Sequence, residues 1–302
     1  MSLLNRGKVI ALDIGGTNLR AGIVYDDGTI LEAINRPTDT NKEVVLNNMV
    51  DMIRLLKEKH PDVYGIGIGT PGTVDTNKGI VTAIGGNIRD WSNTNIKGVI
   101  EDRVDGLSVF VDNDANCAAL AEYYYGAGIG SETMVMLTLG TGLGGAIVYR
   151  GEVLRGSHYQ GGEVGHGILY PKGRKCFCGQ NGCVEKYISG TGLELNYEEL
   201  SGKRISGEEI IERYYIDEMA KKSVKKMAMD LGIYLANLKN VVDPEVVVFG
   251  GGVVKSHRYW WDEMIKCYGE EVNRDSGITF KRAQYENKSG MLGAAILARK
   301  NL

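Results

Sequence analysis

What the chain lacks narrows its function before any motif is read. No apolar run approaches the ~18 residues that a membrane-spanning helix needs, so no membrane partner is expected. No stretch concentrates basic charge, and the net charge is −3, so no nucleic-acid partner is expected either. No low-complexity linker interrupts the sequence. The opening residues, MSLLNRGKVIALDIGG, enter a strand-like run at once without a secretory apolar region and cleavage site. The expected location is the cytoplasm, where the five cysteines are not expected to pair as disulfides. Three of them instead crowd into residues 176–183.

What is present describes an ordinary globular protein in all but one respect. Its 302 residues, 43% apolar and 24% charged, can bury a large core and are expected to fold as two domains. The exception is glycine. Its 42 copies are about double the usual frequency of about 7%. They fall in short runs, which mark tight turns where backbone approaches backbone or a ligand.

Val9–Ile14, Arg20–Tyr25 and Thr29–Asn35 read as short strands separated by turn residues. A helix is expected over Lys42–Lys59, with Val45, Met49, Met52 and Leu56 at helical spacing. Val63–Gly69 and Leu107–Val111 read as further strands, the second running into a helix through Asp112–Ala121, and Thr133–Leu139 opens the second half. Residues 10–31 can be laid over 136–154. Each copy is a strand, a glycine turn, the tripeptide Ile-Val-Tyr, a polar turn and a third strand. A repeat of this kind implies two related α/β domains; chance likeness between two hairpins is the alternative. Ser289–Lys300 reads as a helix whose apolar stripe needs a partner.

The glycine turn Asp13–Asn18 lies between two strands. Amides at Gly15 and Gly16 can form a concave anion site, Thr17 and Asn18 can bond phosphate oxygens, and Asp13 is placed to hold Mg²⁺ or its water. The alternative is a plain hairpin turn. Gly140-x-Gly142-x-x-Gly145 satisfies the dinucleotide-binding pattern, and so does Gly67-x-Gly69-x-x-Gly72. That fingerprint needs a helix to open at the glycines. Ala146–Tyr149 is instead strand-like, which argues against a nicotinamide site. No glycine turn ends in Gly-Lys-Ser/Thr, so a Walker A loop is absent. Gly140, Thr141 and Gly142 are assigned to ATP phosphates. Gly250, Gly251 and Gly252, after the strand Val246–Phe249, suit close packing on adenine or ribose. That run and Ser189–Leu193 (SGTGL) could equally be a cap or a tight turn.

Asp112, Asn113 and Asp114 stand where a strand ends and a helix begins. Asp114 is either an N-cap or a base that takes a proton from a hydroxyl bound by Asn113. Phosphoryl transfer needs little more than a base, a metal and backbone donors. His166, Cys176, Cys178 and Cys183 make a complete tetrahedral Cys₃His set, with glycine turns at Gly179 and Gly182. No ligand position is left open, so the expected ion is a structural Zn²⁺. Glu163 and Glu185 flank these ligands and are expected to be held rigidly towards a polyhydroxyl substrate. The glycine turns lie elsewhere in the chain, so losing the metal is expected to leave ATP binding little changed.

These motifs resemble the ROK family (repressors, open reading frames and sugar kinases) over essentially the whole chain. The resemblance rests on DIGGTN at 13–18, PGTVD at 71–75, DND at 112–114, LGTGLGG at 139–145, EVGH at 163–166 and CFCGQNGCVE at 176–185. It implies a two-domain actin-like, ribonuclease-H-like α/β fold with a cleft between the domains. The small domain would be 1–115 plus the returning helix 289–302, and the large domain 116–288. The resemblance implies that Asp114 is the catalytic base, with Gly72, Asn87, Asn113, Glu163, His166 and Glu185 around the sugar. The histidine would both ligate zinc and face the substrate. The implied activity is ATP- and Mg²⁺-dependent phosphorylation of a hexose, glucose to glucose 6-phosphate first, with Asn87 and Trp91 resembling a glucokinase segment. N-acetylmannosamine, N-acetylglucosamine and fructose are the alternatives. A homodimer or homotetramer is implied. The family's repressors carry a helix-turn-helix before the first glycine motif. Here Asp13 arrives too early for one, which disfavours a regulator.

Overall fold

The computed structural model describes residues 7–83, 88–274 and 277–302. The chain forms two compact units, one bounded by Met1–Gly130, Gly151–Gly161 and Gln284–Leu302, the other by Ser131–Arg150 and Gly162–Ala283.

The first unit begins β1 (Val9–Ile14), β2 (Asn18–Val24), β3 (Ile30–Pro37), α1 (Lys42–Lys59) and β4 (Gly65–Thr70). A short pair follows, β5 (Thr73–Asp75) and β6 (Ile80–Ala83), then α2 (Ile96–Arg103), β7 (Ser108–Asn113) and α3 (Asp114–Tyr125). The main sheet has the order β3-β2-β1-β4-β7, with β1 and β2 antiparallel and β1, β4 and β7 parallel. Parallel strands need cover on both faces. Helix α1 supplies one cover, burying Val45, Met49, Met52, Ile53 and Leu56 in a core shared with Ile10, Leu12, Ile66 and Ile68. Asn41 caps it, accepting from the Glu43 amide at 2.9 Å.

The second unit opens with β8 (Thr133–Leu139) and β9 (Leu143–Tyr149); the segment after it, with β10 (Glu152–Val153), belongs to the first unit. It continues through α4 (Glu185–Ile188), α5 (Gly190–Ser201), α6 (Gly207–Glu212), α7 (Glu218–Val242), β11 (Val246–Gly250), α8 (Trp261–Glu271) and β12 (Thr279–Arg282). Its strands β9-β8-β11-β12 follow the pattern of β2-β1-β4-β7. An antiparallel hairpin leads, its first strand pairs in parallel with the next strand, and that strand pairs in parallel with the last. The likeness of residues 10–31 to 136–154 is therefore an architectural repeat. Helix α7 covers this sheet's core, with Val224, Met227, Leu231 and Leu235 buried beside Val135, Leu137, Val247 and Phe249.

Helix α9 (Ser289–Asn301) is the partner that its apolar stripe required, packing on β4, β1, β7 and α3 of the first unit. Strand β4 reads GIGIGT. Alternation sends Ile66 and Ile68 into the core and leaves Gly65, Gly67 and Gly69 as a bare opposite face. A Cβ on Gly67 would lie 1.8 Å from the Ala294 carbonyl oxygen, and one on Gly65 would lie 2.3 Å from Leu302. The Gly67-x-Gly69 pattern thus serves helix docking and not a dinucleotide. Gly293 of α9 returns the approach, with the Cys117 carbonyl oxygen 1.6 Å from its ideal Cβ position. This packing corrects the expected domain boundary. A break at 115 would cut α3 at its start, whereas α3 docks whole on α9 and the first unit runs to Gly130.

Candidate active site

In the first unit, Asn113 is the cap of α3. Its Oδ1 accepts from the amides of Ala115 at 2.8 Å and Asn116 at 3.3 Å, leaving Asp114 as the first helical residue. The capping alternative for Asp114 is therefore filled by its neighbour. Asn113 Nδ2 donates to the Gly72 carbonyl at 3.0 Å, joining two residues expected near the substrate. Gly72 has φ +96°, a left-handed turn that disfavours any side chain. Asp112 is buried, and its Oδ2 accepts from Arg155 Nε at 2.9 Å and Nη2 at 2.6 Å. Its Oδ1 accepts from the Asn113 amide at 2.7 Å and Asn116 Nδ2 at 2.8 Å. A buried carboxylate so paired and bonded holds the strand-to-helix junction in one geometry. Sequence reasoning gave Asp112 no role of its own and missed Arg155, which lies far along the chain.

Asp13 is the last residue but one of β1, in register with Gly69 of β4. The bare face of Gly69 looks at the Asp114 backbone, 3.8 Å from an ideal Cβ. Gly290 of α9 closes over Asp13, where a Cβ would come within 2.5 Å of the carboxyl. Burial raises Asp13 to about 6, with Arg20 opposing the shift. Asp114 is pushed up to about 7, first by burial and then by the charge of Asp13, against the pull of the Ala115 amide. A carboxyl that titrates near neutrality is suited to exchange a proton with a reacting group.

The turn after Asp13 closes through the Gly15 amide to the Asn18 carbonyl at 2.9 Å and is braced by Thr38 Oγ1, which donates to the Gly15 carbonyl at 2.8 Å. Asn18 Nδ2 donates to Thr17 Oγ1 at 2.9 Å. Gly16, Thr17 and Asn18 are exposed. A Cβ on Gly16 would meet nothing within 4 Å, so the protein's own packing does not demand glycine there, and room remains for an anion. Asn87 lies outside the described residues. Trp91, of the same segment, is a core residue whose Nε1 donates to Thr70 Oγ1 at 2.9 Å.

In the second unit, one ligand atom each from His166, Cys176, Cys178 and Cys183 lies within 4.8 Å of all the others. His166 Nδ1 is 3.8 Å from Cys176 Sγ, and the Sγ atoms of Cys178 and Cys183 are 3.6 Å apart. Zn–S bonds of ~2.3 Å in a tetrahedron place ligand atoms roughly 3.8 Å apart, so the set fits a zinc ion. Gly179 and Gly182, at φ +95° and +84°, turn the loop back. Lys175 then bridges to Asn181 and Ile168 to Cys183. Gln180 Nε2 stands 3.6 Å from both Cys178 and Cys183 and donates to the His166 carbonyl at 3.2 Å.

The two carboxylates beside these ligands are placed differently. Glu163 is exposed. Glu185 opens α4 and is buried; its Oε2 accepts from the Leu143 amide at 3.2 Å, and its Oε1 lies 3.7 Å from Cys176 Sγ. A Cβ on Gly142 would be 2.5 Å from Glu185 Oε2. The expected phosphate turn therefore abuts Glu185. The Gly140 amide donates to the Gly142 carbonyl at 3.0 Å, as Gly15 does to Asn18, and the Gly140 and Thr141 carbonyls accept from Gly190 at 2.8 Å and Thr191 at 3.3 Å. Ser189 accepts from the Gly192 amide at 3.0 Å, so SGTGL is a helix cap. Gly251, at φ +90°, packs on Leu139, whose carbonyl oxygen is 2.4 Å from its ideal Cβ position. Of that run only Gly252 has open space beside it.

Two units built on the same strand-and-turn plan, each presenting a glycine turn, define the two-domain actin-like ATPase fold. The chain belongs to the ROK family, whose model matches residues 9–301. It is similar to the ROK hexokinase from Thermus thermophilus, with 34% identity, TM-score 0.89 and coverage of 97% of this chain and 98% of that one. It is also similar to a ROK glucokinase from Streptomyces griseus solved with glucose and AMPPNP, at 34% identity, TM-score 0.80 and coverage of 97% and 100%. A third relative, the N-acetyl-D-glucosamine kinase of Pasteurella multocida, is 31% identical over 94% of this chain and 97% of its own length.

Proposed function

We propose that this protein is an ATP-dependent sugar kinase that phosphorylates a hexose hydroxyl, with glucose as the first substrate and glucose 6-phosphate as the product. The observation that carries the proposal is Asp114, a carboxyl raised to about 7 at a strand-to-helix junction fixed by Asn113 and Asp112. The ionised carboxylate takes the proton of the attacking hydroxyl. The hydroxyl oxygen bonds the γ-phosphorus, the bond from that phosphorus to the β,γ-bridging oxygen breaks, and ADP leaves with the electron pair.

In the first unit, Asn113 and Gly72 are the proposed sugar contacts beside Asp114. Asp13 would hold Mg²⁺ or its water, and the Gly15–Asn18 turn would receive phosphate oxygens. Bound Mg²⁺ supplies charge neutralisation on the phosphates. In the second unit, Gly140–Gly142 and Gly252 are the proposed nucleotide contacts. Zinc on the three cysteines and His166 Nδ1 would leave Nε2 of that ring and the Glu163 carboxylate for sugar hydroxyls. A homodimer or homotetramer in the cytoplasm completes the reading.

The likeness to an N-acetyl-D-glucosamine kinase supports N-acetylhexosamines as the second substrate class. An ADP-release assay over glucose, mannose, fructose, N-acetylglucosamine and N-acetylmannosamine decides between them. The highest kcat/KM is expected for glucose. An N-acetylhexosamine in first place would replace the substrate, and no sugar-dependent ADP release would remove the kinase reading.

A further inference from the structure

We infer that Arg174 is a positioning residue that ties the metal loop to the Gly140–Gly142 turn, so that zinc organises nucleotide binding as well as sugar binding. The inference rests on the proposed nucleotide role of that turn. Arg174 precedes Cys176 by two positions and its side chain is 12% exposed. Its guanidinium has five donors, and all five are used. Nε and Nη2 grip the two carboxylate oxygens of Glu199 at 2.7 and 2.6 Å. Nη2 also reaches Asn196 Oδ1 at 2.9 Å, and Nη1 donates to the carbonyls of Lys186 at 2.5 Å and Gly192 at 3.5 Å. The guanidinium lies 4.6 Å from the centre of the Tyr187 ring, whose hydroxyl accepts from the Arg174 amide at 2.7 Å.

One end of this clamp is the metal loop, since the Arg174 carbonyl accepts from Gly182 at 2.8 Å, beside Cys183. The other end is the body of α5. That helix begins at Gly190 and Thr191, whose amides bond the Gly140 and Thr141 carbonyls. Fixed loop, fixed α5 and fixed glycine turn therefore form one continuous bonded path, joined a second time through Glu185. In sequence the metal loop and the glycine turn are separate, which is why loss of the metal looked harmless to the nucleotide. Lysine cannot replace this group, because its point charge lacks the planar fork that holds Glu199 and the helix carbonyls together.

Spatial continuity alone does not establish coupling, so the test reads coupling directly. Hydrogen–deuterium exchange is followed over residues 139–143 and 189–193 in wild type and Arg174→Lys, each zinc-loaded and after chelation. Chelation is expected to speed exchange there in wild type. Zinc-loaded Arg174→Lys is expected to keep its metal yet exchange as fast, with little added by chelation. Alongside, AMPPNP affinity is expected to fall about fivefold or more, within the usual range of coupling between sites, on chelation of wild type and in the zinc-loaded variant. Glu199→Gln, a change on the rim of the clamp, should act in the same direction more weakly if the lysine variant fails to fold. Unchanged exchange or unchanged AMPPNP affinity on chelation would overturn the inference. So would loss of zinc from Arg174→Lys, which would make the residue a support of the metal site only. Faster exchange in a protein that never binds AMPPNP would leave the coupling standing and defeat the kinase reading instead.

Discussion

Asp13 lifts Asp114: the charge near the end of β1 adds to burial in bringing the base to about 7. If Asp114 accepts the substrate proton, kcat/KM should rise with pH along a limb centred near that value. Asp13→Asn removes the charge, so the limb should move to lower pH even as the maximal rate falls. The position of the limb, separate from its height, is the measurement. A limb that stays in place would show that the two carboxyls do not communicate.

Asp114→Asn should lower kcat by about 10²–10⁴-fold, with a smaller effect on sugar KM. The same change should stabilise the ligand-free fold at alkaline pH. The folded carboxyl titrates near 7 and the unfolded one near its ordinary 3.8. Between those values the unfolded chain loses its proton first, so stability falls as pH rises and the full penalty is present above about 7. Asparagine has no proton to lose. Calorimetry should therefore give a higher Tm than wild type at about pH 8 and a smaller difference at about pH 4. A variant less stable than wild type at about pH 8 would contradict this account of the burial.

Metal analysis of native protein should find about one zinc per chain, as four closed ligands require. Cys183→Ser should lose it while keeping most far-ultraviolet circular dichroism, because a core of this size does not depend on one ion. Sugar KM should rise about tenfold or more, as His166 loses its anchor. Zinc-free enzyme with wild-type KM for both sugar and ATP would show that the ion organises neither.

Glu122 is completely buried on α3 and accepts from the amides of Ala127 at 3.0 Å, Gln284 at 2.9 Å and Tyr285 at 2.8 Å. Glu122→Ala takes the acceptor away from the amides of Gln284 and Tyr285 and should cost about 2 kcal/mol or more, read as a lower urea midpoint. Glu122→Gln keeps one acceptor oxygen and should cost less. A Glu122→Ala midpoint equal to wild type would mean that water takes over those bonds.

The features legible in the sequence are those whose causes are local. Helix α1 runs over Lys42–Lys59 as expected because its cap, its period and its end all lie within those few turns. The metal set could be read because three of its four ligands share one loop, and the Asp13–Asn18 turn because strand, glycines and strand are consecutive. What escaped depends on distant partners. Gly67 matched a ligand-binding pattern, yet its neighbour is Ala294. Arg155 and Asp112 meet across a long stretch of chain, and the five bonds of Arg174 follow from where α5 lies and not from the residues beside it. Gly251 lies against the end of β8, a close approach that its neighbours in sequence do not reveal.

The glycine face of β4 also sets an order of events at the ribosome. Its cover, α9, is synthesised only after all of Ser131–Ala283. When the strands around β4 first emerge, Gly65 and Gly67 have nothing to lie against, because Leu302 and Ala294, which cover them, are still to be made. The segments of the second unit are complete earlier and can close on their own core, as domains do during synthesis. The N-terminal sheet is completed only by a long-range closure, of the kind that slows folding. Gly290 is placed over Asp13 only by that last closure, so the carboxyl at the glycine turn is covered by a residue from the far end of the chain.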